Sequence, residues 1–143
     1  MMPRIAVFPG SFDPMTSGHE AIVRRALALF DRIVIAVGVN TDKQYMFTTE
    51  ERMEKIRSLF ADEERVTTVS YNDMTVDLCK RVGAQFILRG IRNAKDLEYE
   101  QTIAAVNRTL NPHIDTILLM ADDAQRDISS TLIREQMAHQ QTD

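Results

Sequence analysis

Strand-like runs and helix-like stretches take turns along the whole chain, and few folds accept that order. Ile5 to Phe8, Arg32 to Val39, Val66 to Tyr71, Gln85 to Leu88 and Asp115 to Met120 are short apolar runs of strand length. Between them lie stretches with helical period. Gly18 to Phe30 places Ile22, Val23, Ala26, Leu27 and Phe30 on one face. Thr48 to Phe60 opens with Thr48 and Glu51 in capping-box spacing and carries Met53, Ile56, Leu59 and Phe60 as its apolar stripe. Thr75 to Val82 is a third helix. Lys95 to Leu110 is a fourth, with Leu97, Ile103, Ala104 and Leu110 spaced for one side. Ser129 to His139 is the last. The run Arg32 to Val39 scarcely alternates, which predicts a strand covered on both faces. Five strands, each followed by a helix, predict an α/β domain built on a parallel sheet with right-handed crossovers. Ligands of such sheets bind beyond the C-terminal strand edges, where strand order reverses.

The chain has 143 residues, enough for one domain (1–143) with a real core, and 44% of them are hydrophobic. Its formal net charge of −4 argues against a nucleic-acid or membrane-surface partner, while leaving room for a local basic pocket. The single cysteine, Cys79, sits among Val76, Leu78 and Val82 and reads as a packed core thiol in a reducing compartment. No run reaches membrane-spanning length and no signal peptide precedes the first strand, so a cytoplasmic protein is expected.

Two common phosphate cradles are missing. The glycines spell neither G-x-x-x-x-G-K-[ST] nor G-x-G-x-x-G, which disfavours a P-loop NTPase and a nicotinamide or flavin oxidoreductase. The first strand runs instead into Pro9-Gly10-Ser11-Phe12-Asp13-Pro14, then Thr16-Ser17-Gly18-His19. Here the apolar run is expected to stop at a Pro-Gly turn. Gly10 would let backbone approach a phosphate, Ser11 would add a hydroxyl, and His19 would project from a helix start that favours anions. A second such start is Ile128-Ser129-Ser130-Thr131-Leu132-Ile133-Arg134. After the fourth strand, Leu88-Arg89-Gly90-Ile91-Arg92-Asn93 places two arginine forks, suited to phosphate oxygens, around a glycine.

The T-x-G-H and I-S-S-T-x-x-R strings resemble the two signatures of the nucleotidyltransferase superfamily. The segment Arg89 to Glu100, and Lys43 followed by Met46-Phe47-Thr48 and Glu50-Glu51-Arg52, resemble the bacterial phosphopantetheine adenylyltransferases. The likeness runs in order from Arg4 to about His139. It implies a Rossmann-like, doubly wound fold with a five-stranded parallel sheet, a homohexamer, Mg²⁺-dependent activity, and transfer of the adenylyl group of ATP to 4′-phosphopantetheine. It also implies roles. His19, Lys43 and Arg92 would be catalytic. Ser11, Lys43, Thr75 and Arg89 would hold phosphopantetheine. Ser11, Phe12, His19, Gly90, Ile91, Arg92 and Glu100 would contact ATP, together with Gln125, Arg126, Asp127, Ile128, Ser129, Ser130 and Thr131. No residue is expected to ligate a metal directly.

The proposed nucleophile is a phosphate oxygen already anionic at pH 7, so the task is electrostatic and needs no activated side chain. Two departures stand out: Ala124 to Asp127 lacks the aromatic residue often found there, and the chain stops at Asp143 without the usual further segment. Rival readings are a nucleotidyltransferase for nicotinamide mononucleotide or glycerol phosphate, a nucleotide-binding regulatory module without turnover, and a flavodoxin-like signalling domain. The 89–100 segment argues against the first. Intact His19, Lys43, Arg89 and Arg92 argue against the second, and Pro9-Gly10-Ser11 in place of an acidic cluster argues against the third.

Overall fold

In the computed structural model, which describes residues 2–121 and 134–138, nine elements alternate without exception. They are β1 (Ile5–Gly10), α1 (Ser17–Ala26), β2 (Arg32–Gly38), α2 (Thr49–Leu59), β3 (Val66–Tyr71), α3 (Thr75–Val82), β4 (Phe86–Ile91), α4 (Ala94–Leu110) and β5 (Asp115–Met120). Residues 134–138 are helical. All five strands are parallel, in the order β3-β2-β1-β4-β5. This is the doubly wound, Rossmann-like α/β sheet that the alternation and the resemblance led to. The core lies on both faces, as the unbroken apolar run of β2 requires. Ile33, Ile35 and Val37 pack with α1 and α2, whereas Val34 and Ala36 pack with α3.

Strand order reverses between β1 and β4, and there the sheet opens. β1 pairs with β2 over six positions, but with β4 only at Ala6↔Phe86 and Val7↔Ile87. Beyond those two pairs the strands splay apart toward their C-terminal ends, which makes a crevice at the switch point. β4 stays registered with β5 through Ile91↔Met120.

Several sequence expectations are corrected. β1 does not stop before Pro9. Pro9 and Gly10 continue the ladder against Ala36 and Val37. Proline is tolerated because its carbonyl, and hence its missing N–H, faces the β4 side, where the ladder has already ended. β4 begins one residue late but runs to Ile91, so Arg89 and Gly90 are strand residues and do not leave the strand as a loop. α1 ends at Ala26, and Leu27 to Leu29 form a turn, after which the Asp31 and Arg32 N–H groups donate to the Arg4 carbonyl. On α4, Leu97, Ile103 and Leu110 are exposed, and the helix's one buried residue is Glu100. The Thr48/Glu51 capping box is present. Cys79 is buried, and that burial pushes its thiol up to about 12, far from nucleophilic use.

Candidate active site at the β1–β4 switch point

Two clefts open at the C-terminal rim, one on each side of the splayed strands. The first, about 640 Å³, runs from the ends of β1, β2 and β3 to α4 and holds Lys43, Tyr71, Asn72, Thr75, Ile103 and Asn107. The second, about 590 Å³, lies over α1 and holds Phe12, His19, Gly90, Arg92, Asp96 and Tyr99. Pro9, Gly10, Ser11, Arg89 and Glu100 line both. The wall between the clefts is therefore the crevice itself.

Arg89 bridges that crevice. Its Nη1 donates to the Pro9 carbonyl at 2.6 Å, where a ladder bond would otherwise run. Its Nε and Nη2 donate to the Glu100 carboxylate at 2.9–3.0 Å, and Glu100 is 4% exposed. A guanidinium carries five N–H groups. These contacts use three of them, which leaves Arg89 able to serve both as a structural tie and as a phosphate ligand.

His19 occupies the third position of α1, one turn inside the helix. Thr16 caps α1 by accepting from the His19 N–H, and the Thr16 N–H donates back to His19 Nδ1 at 3.0 Å. Histidine thus fills the place that glutamate takes in a common capping box. The bond has a chemical consequence. Nδ1 is held as an acceptor, so the neutral ring carries its proton on Nε2. Burial holds the imidazole below its ordinary value, and the nearby Arg89 and then Arg92 lower it further. His19 is accordingly a neutral hydrogen-bond donor at pH 7.

The loop before α1 is shaped around this ring. Phe12 adopts a left-handed backbone (φ 48°), unusual for a residue with a side chain. Its ring stands edge-on to His19 at 5.1 Å between centroids and to Phe8 at 5.3 Å. It also covers Gly10, where a Cβ would come within 2.9 Å of the Phe12 ring. Gly10 has a structural use beside the one expected of it. Its missing side chain makes room for Phe12 and thereby seats His19.

The remaining expected residues fall as follows. Ser11 lines both clefts. Thr75 begins α3, and its hydroxyl lies 3.2 Å from the Tyr71 hydroxyl. Lys43 lies in the first cleft, its Nζ 5.7 Å from the centre of the Tyr45 ring, apart from the cleft that holds His19 and Arg92. The Arg92 N–H and Nε donate to Asp96 at 3.0 and 3.3 Å. Gly90 lines the second cleft, whereas Ile91, which ends β4, lines neither. Gln125 to Thr131 lie outside the described residues.

Sequence reasoning missed three residues that build the site. Thr16 sets the His19 tautomer, and its T-x-x-H spacing was the available signal. Asp13 accepts from the Met46 and Phe47 N–H groups at 2.6 and 2.8 Å, tying the 40–48 loop to the first loop. Arg52, within the charged start of α2, is 1% exposed.

The pH dependence of His19 follows from its surroundings. With its value lowered in the folded protein, the unfolded chain binds more protons between that value and 6.5. The stability His19 contributes is complete above 6.5 and is lost as pH falls from there through the lowered value. A proton on Nδ1 also breaks the capping box. Titration of the imidazole by NMR should give a midpoint below 6.5, whereas a midpoint at or above 6.5 contradicts the geometry.

The cytidylyltransferase-like family model matches residues 7–136. The chain is 50% identical over 132 residues to the phosphopantetheine adenylyltransferase of Flavobacterium psychrophilum, covering 92% of this chain and 87% of that one. It is 49% identical over 132 residues to the enzyme of the same name from Phocaeicola vulgatus, with the same coverage. Among solved structures it superposes on a bifunctional NMN adenylyltransferase/ADP ribose pyrophosphatase from Francisella tularensis with a TM-score of 0.66 at 19% identity, covering 97% of this chain and 43% of that one. A second structure of that protein holds AMP and a manganese ion, with a TM-score of 0.61 at 19% identity, covering 96% of this chain and 42% of that one. At such identity these two structures speak to the fold.

Proposed function

This chain belongs to the phosphopantetheine adenylyltransferases of the cytidylyltransferase-like family, and from that membership we propose how its two clefts divide the reaction. It is an adenylyltransferase acting in coenzyme A biosynthesis. The acceptor, 4′-phosphopantetheine, occupies the first cleft. Asn72 and Asn107 there offer amide partners to an amide-bearing arm, Ile103 and Ala104 offer apolar contact, and Lys43 offers charge for its phosphate. ATP occupies the second cleft, over the start of α1, with Arg92 at the phosphates. The single observation that carries this reading is the wall the clefts share. Ser11 and Arg89 line both, so the two anionic reactants meet there.

In this mechanism the acceptor phosphate oxygen attacks the α-phosphorus of ATP in line. The bond to the β-phosphate bridging oxygen breaks, and pyrophosphate leaves with the electron pair. His19 donates its Nε2 proton as a hydrogen bond to an α-phosphate oxygen as charge builds there, and keeps it. Arg89, Arg92 and Lys43 hold the other oxygens. Catalysis is positioning and fixed positive charge. The described residues offer no cluster of three or more His, Cys, Asp or Glu, so they do not by themselves build a metal cage. Mg²⁺ would supply further charge neutralisation at the phosphates when bound. Ser129 to Thr131 are assigned to the β- and γ-phosphates on the sequence resemblance alone.

The exposed apolar side chains of α4 (Tyr99, Ile103, Val106 and Leu110) favour self-association, consistent with the homohexamer of the resemblance. No helix among the described residues is long and apolar enough to cross a membrane, and the cytoplasm remains the compartment assigned. A coupled pyrophosphate assay tests the reading. Release is expected with ATP, magnesium and phosphopantetheine. Release with nicotinamide mononucleotide or glycerol phosphate instead, or with no acceptor at all, overturns it.

A further inference from the structure

Arg52 is an arginine of α2 with no surface, no carboxylate and no direct place in either cleft. It is 1% exposed, and none of its guanidinium nitrogens lies within 4.0 Å of an acidic group among the described residues. Burying a cation this way is costly unless strong dipoles take the place of water. Those it has are telling. Nη1 donates to the Ser11 carbonyl at 2.8 Å and to the Gly38 carbonyl at 3.3 Å, and Nη2 donates to the Thr49 hydroxyl at 3.2 Å. The guanidinium plane lies 4.0 Å from the centre of the Tyr45 ring. Nε has no partner.

Each of those contacts except Thr49 is a piece of the site wall. Ser11 is the first residue after β1 and lines both clefts. Gly38 ends β2 and Tyr45 stands in the 40–48 loop, and both line the first cleft. The one side chain that touches all three comes from beneath them. A lysine could supply the charge, but not the second nitrogen of the guanidinium fork that reaches Thr49, nor the planar group over the Tyr45 ring.

We propose that Arg52 is a positioning residue for adenylyl transfer. It fixes the Ser11 turn against the end of β2 and the 40–48 loop. As a buried cation without a carboxylate among the described residues, it leaves its charge to be balanced by the phosphates gathered on the other side of Ser11. Arg52 touches no reacting atom and acts through Ser11 and Tyr45. The inference rests on the assignment of the two clefts to two polyanionic substrates.

Two losses can be separated. Arg52→Lys keeps the charge and loses the fork. Turnover should fall about ten-fold with both KM values within about two-fold, because a displaced Ser11 matters in the transition state. Arg52→Gln also loses the charge, so the KM values for ATP and for phosphopantetheine should both rise about ten-fold in addition. Calorimetry with inorganic pyrophosphate, which needs no turnover, should show weaker binding to Arg52→Gln than to Arg52→Lys. Kinetics normalised to folded protein that match wild type in both variants, with only a lower Tm, make Arg52 merely structural and overturn the proposal. Should both variants fail to fold, Thr49→Val decides. It frees Nη2 without touching the clefts, and unchanged turnover in that variant overturns the proposal, while a drop of about three-fold at constant KM supports it. A wild-type protein that releases no pyrophosphate with phosphopantetheine, yet binds inorganic pyrophosphate in an Arg52-dependent way, separates failure of the functional reading from failure of this one.

Discussion

Replacing Arg89 with alanine is expected to destabilise the fold as well as weaken substrate binding. By resemblance Arg89 holds the acceptor phosphate, which predicts a defect mainly in affinity. The structure adds that its guanidinium spans the β1–β4 crevice to the Pro9 carbonyl and holds the buried Glu100 carboxylate by three contacts. Removing the arginine leaves that carboxylate buried without its partner. The cost should be about 3 kcal/mol, the low end for breaking a buried pair, because the Arg89 side chain retains some exposure to water. Urea unfolding measures it. A companion variant separates the two roles. Arg89→Met combined with Glu100→Leu replaces the pair with apolar groups and should recover most of the stability, since such replacements are often neutral or favourable. It should remain inactive. Recovery of turnover in that double variant would remove Arg89 from substrate binding.

His19→Ala should cost turnover rather than fold. Its Nε2–H is the donor assigned to the α-phosphate, and loss of one such preorganised donor removes about 3 kcal/mol of transition-state stabilisation, on the order of a hundred-fold in kcat. The capping box disappears with it, but Thr16 still caps α1 by accepting from the backbone N–H of residue 19, so the helix should form. His19→Gln is informative beside it, because a side-chain amide can accept from the Thr16 N–H but cannot reproduce an imidazole Nε2–H in the same place. Measured kcat near wild type in the alanine variant would mean that the ring is only a helix cap.

What the sequence could carry, and what it could not, follows from where local preference and long-range pairing agree. The bounds of β3, α3 and β5 were legible to the residue, because a β-branched run or a helical period ends there at ordinary loop chemistry. The end of β1 was not. Pro-Gly reads as a turn, yet the six-position ladder with β2 carries Pro9 and Gly10 into the sheet, and only the splay from β4 makes that tolerable. Arg89 looked like a loop arginine because nothing local shows that β5 continues alongside it. On α4 the helical period reports a shared face, not what covers it. Here that face opens on the first cleft and on solvent. Arg52, in a Thr-Glu-Glu-Arg stretch, has the pattern of a solvated helix start, and its burial is visible only once the turn at Ser11 folds over it.

The site itself was more legible than its supports. His19, Arg89, Gly90, Arg92 and Glu100 come together on one cleft although the chain separates the first from the rest by about seventy residues. A parallel sheet makes that legible, because every strand's C-terminal end reaches the same rim. The supports were hidden because Thr16, Asp13 and Arg52 act through backbone groups, and backbone contacts leave no signature in composition.

On the proposed mechanism, the transferred phosphate lies against His19 at the wall that Ser11 and Arg89 share between the two clefts. A crystal structure with the product dephospho-coenzyme A tests it most directly, since one molecule must then cross from one cleft to the other. The account predicts the pantetheine arm along α4 near Asn107, the adenosine over α1, and an oxygen of the linking diphosphate within hydrogen-bond reach of His19 Nε2. A product lying wholly within one cleft, or a diphosphate that passes His19 by, would contradict it.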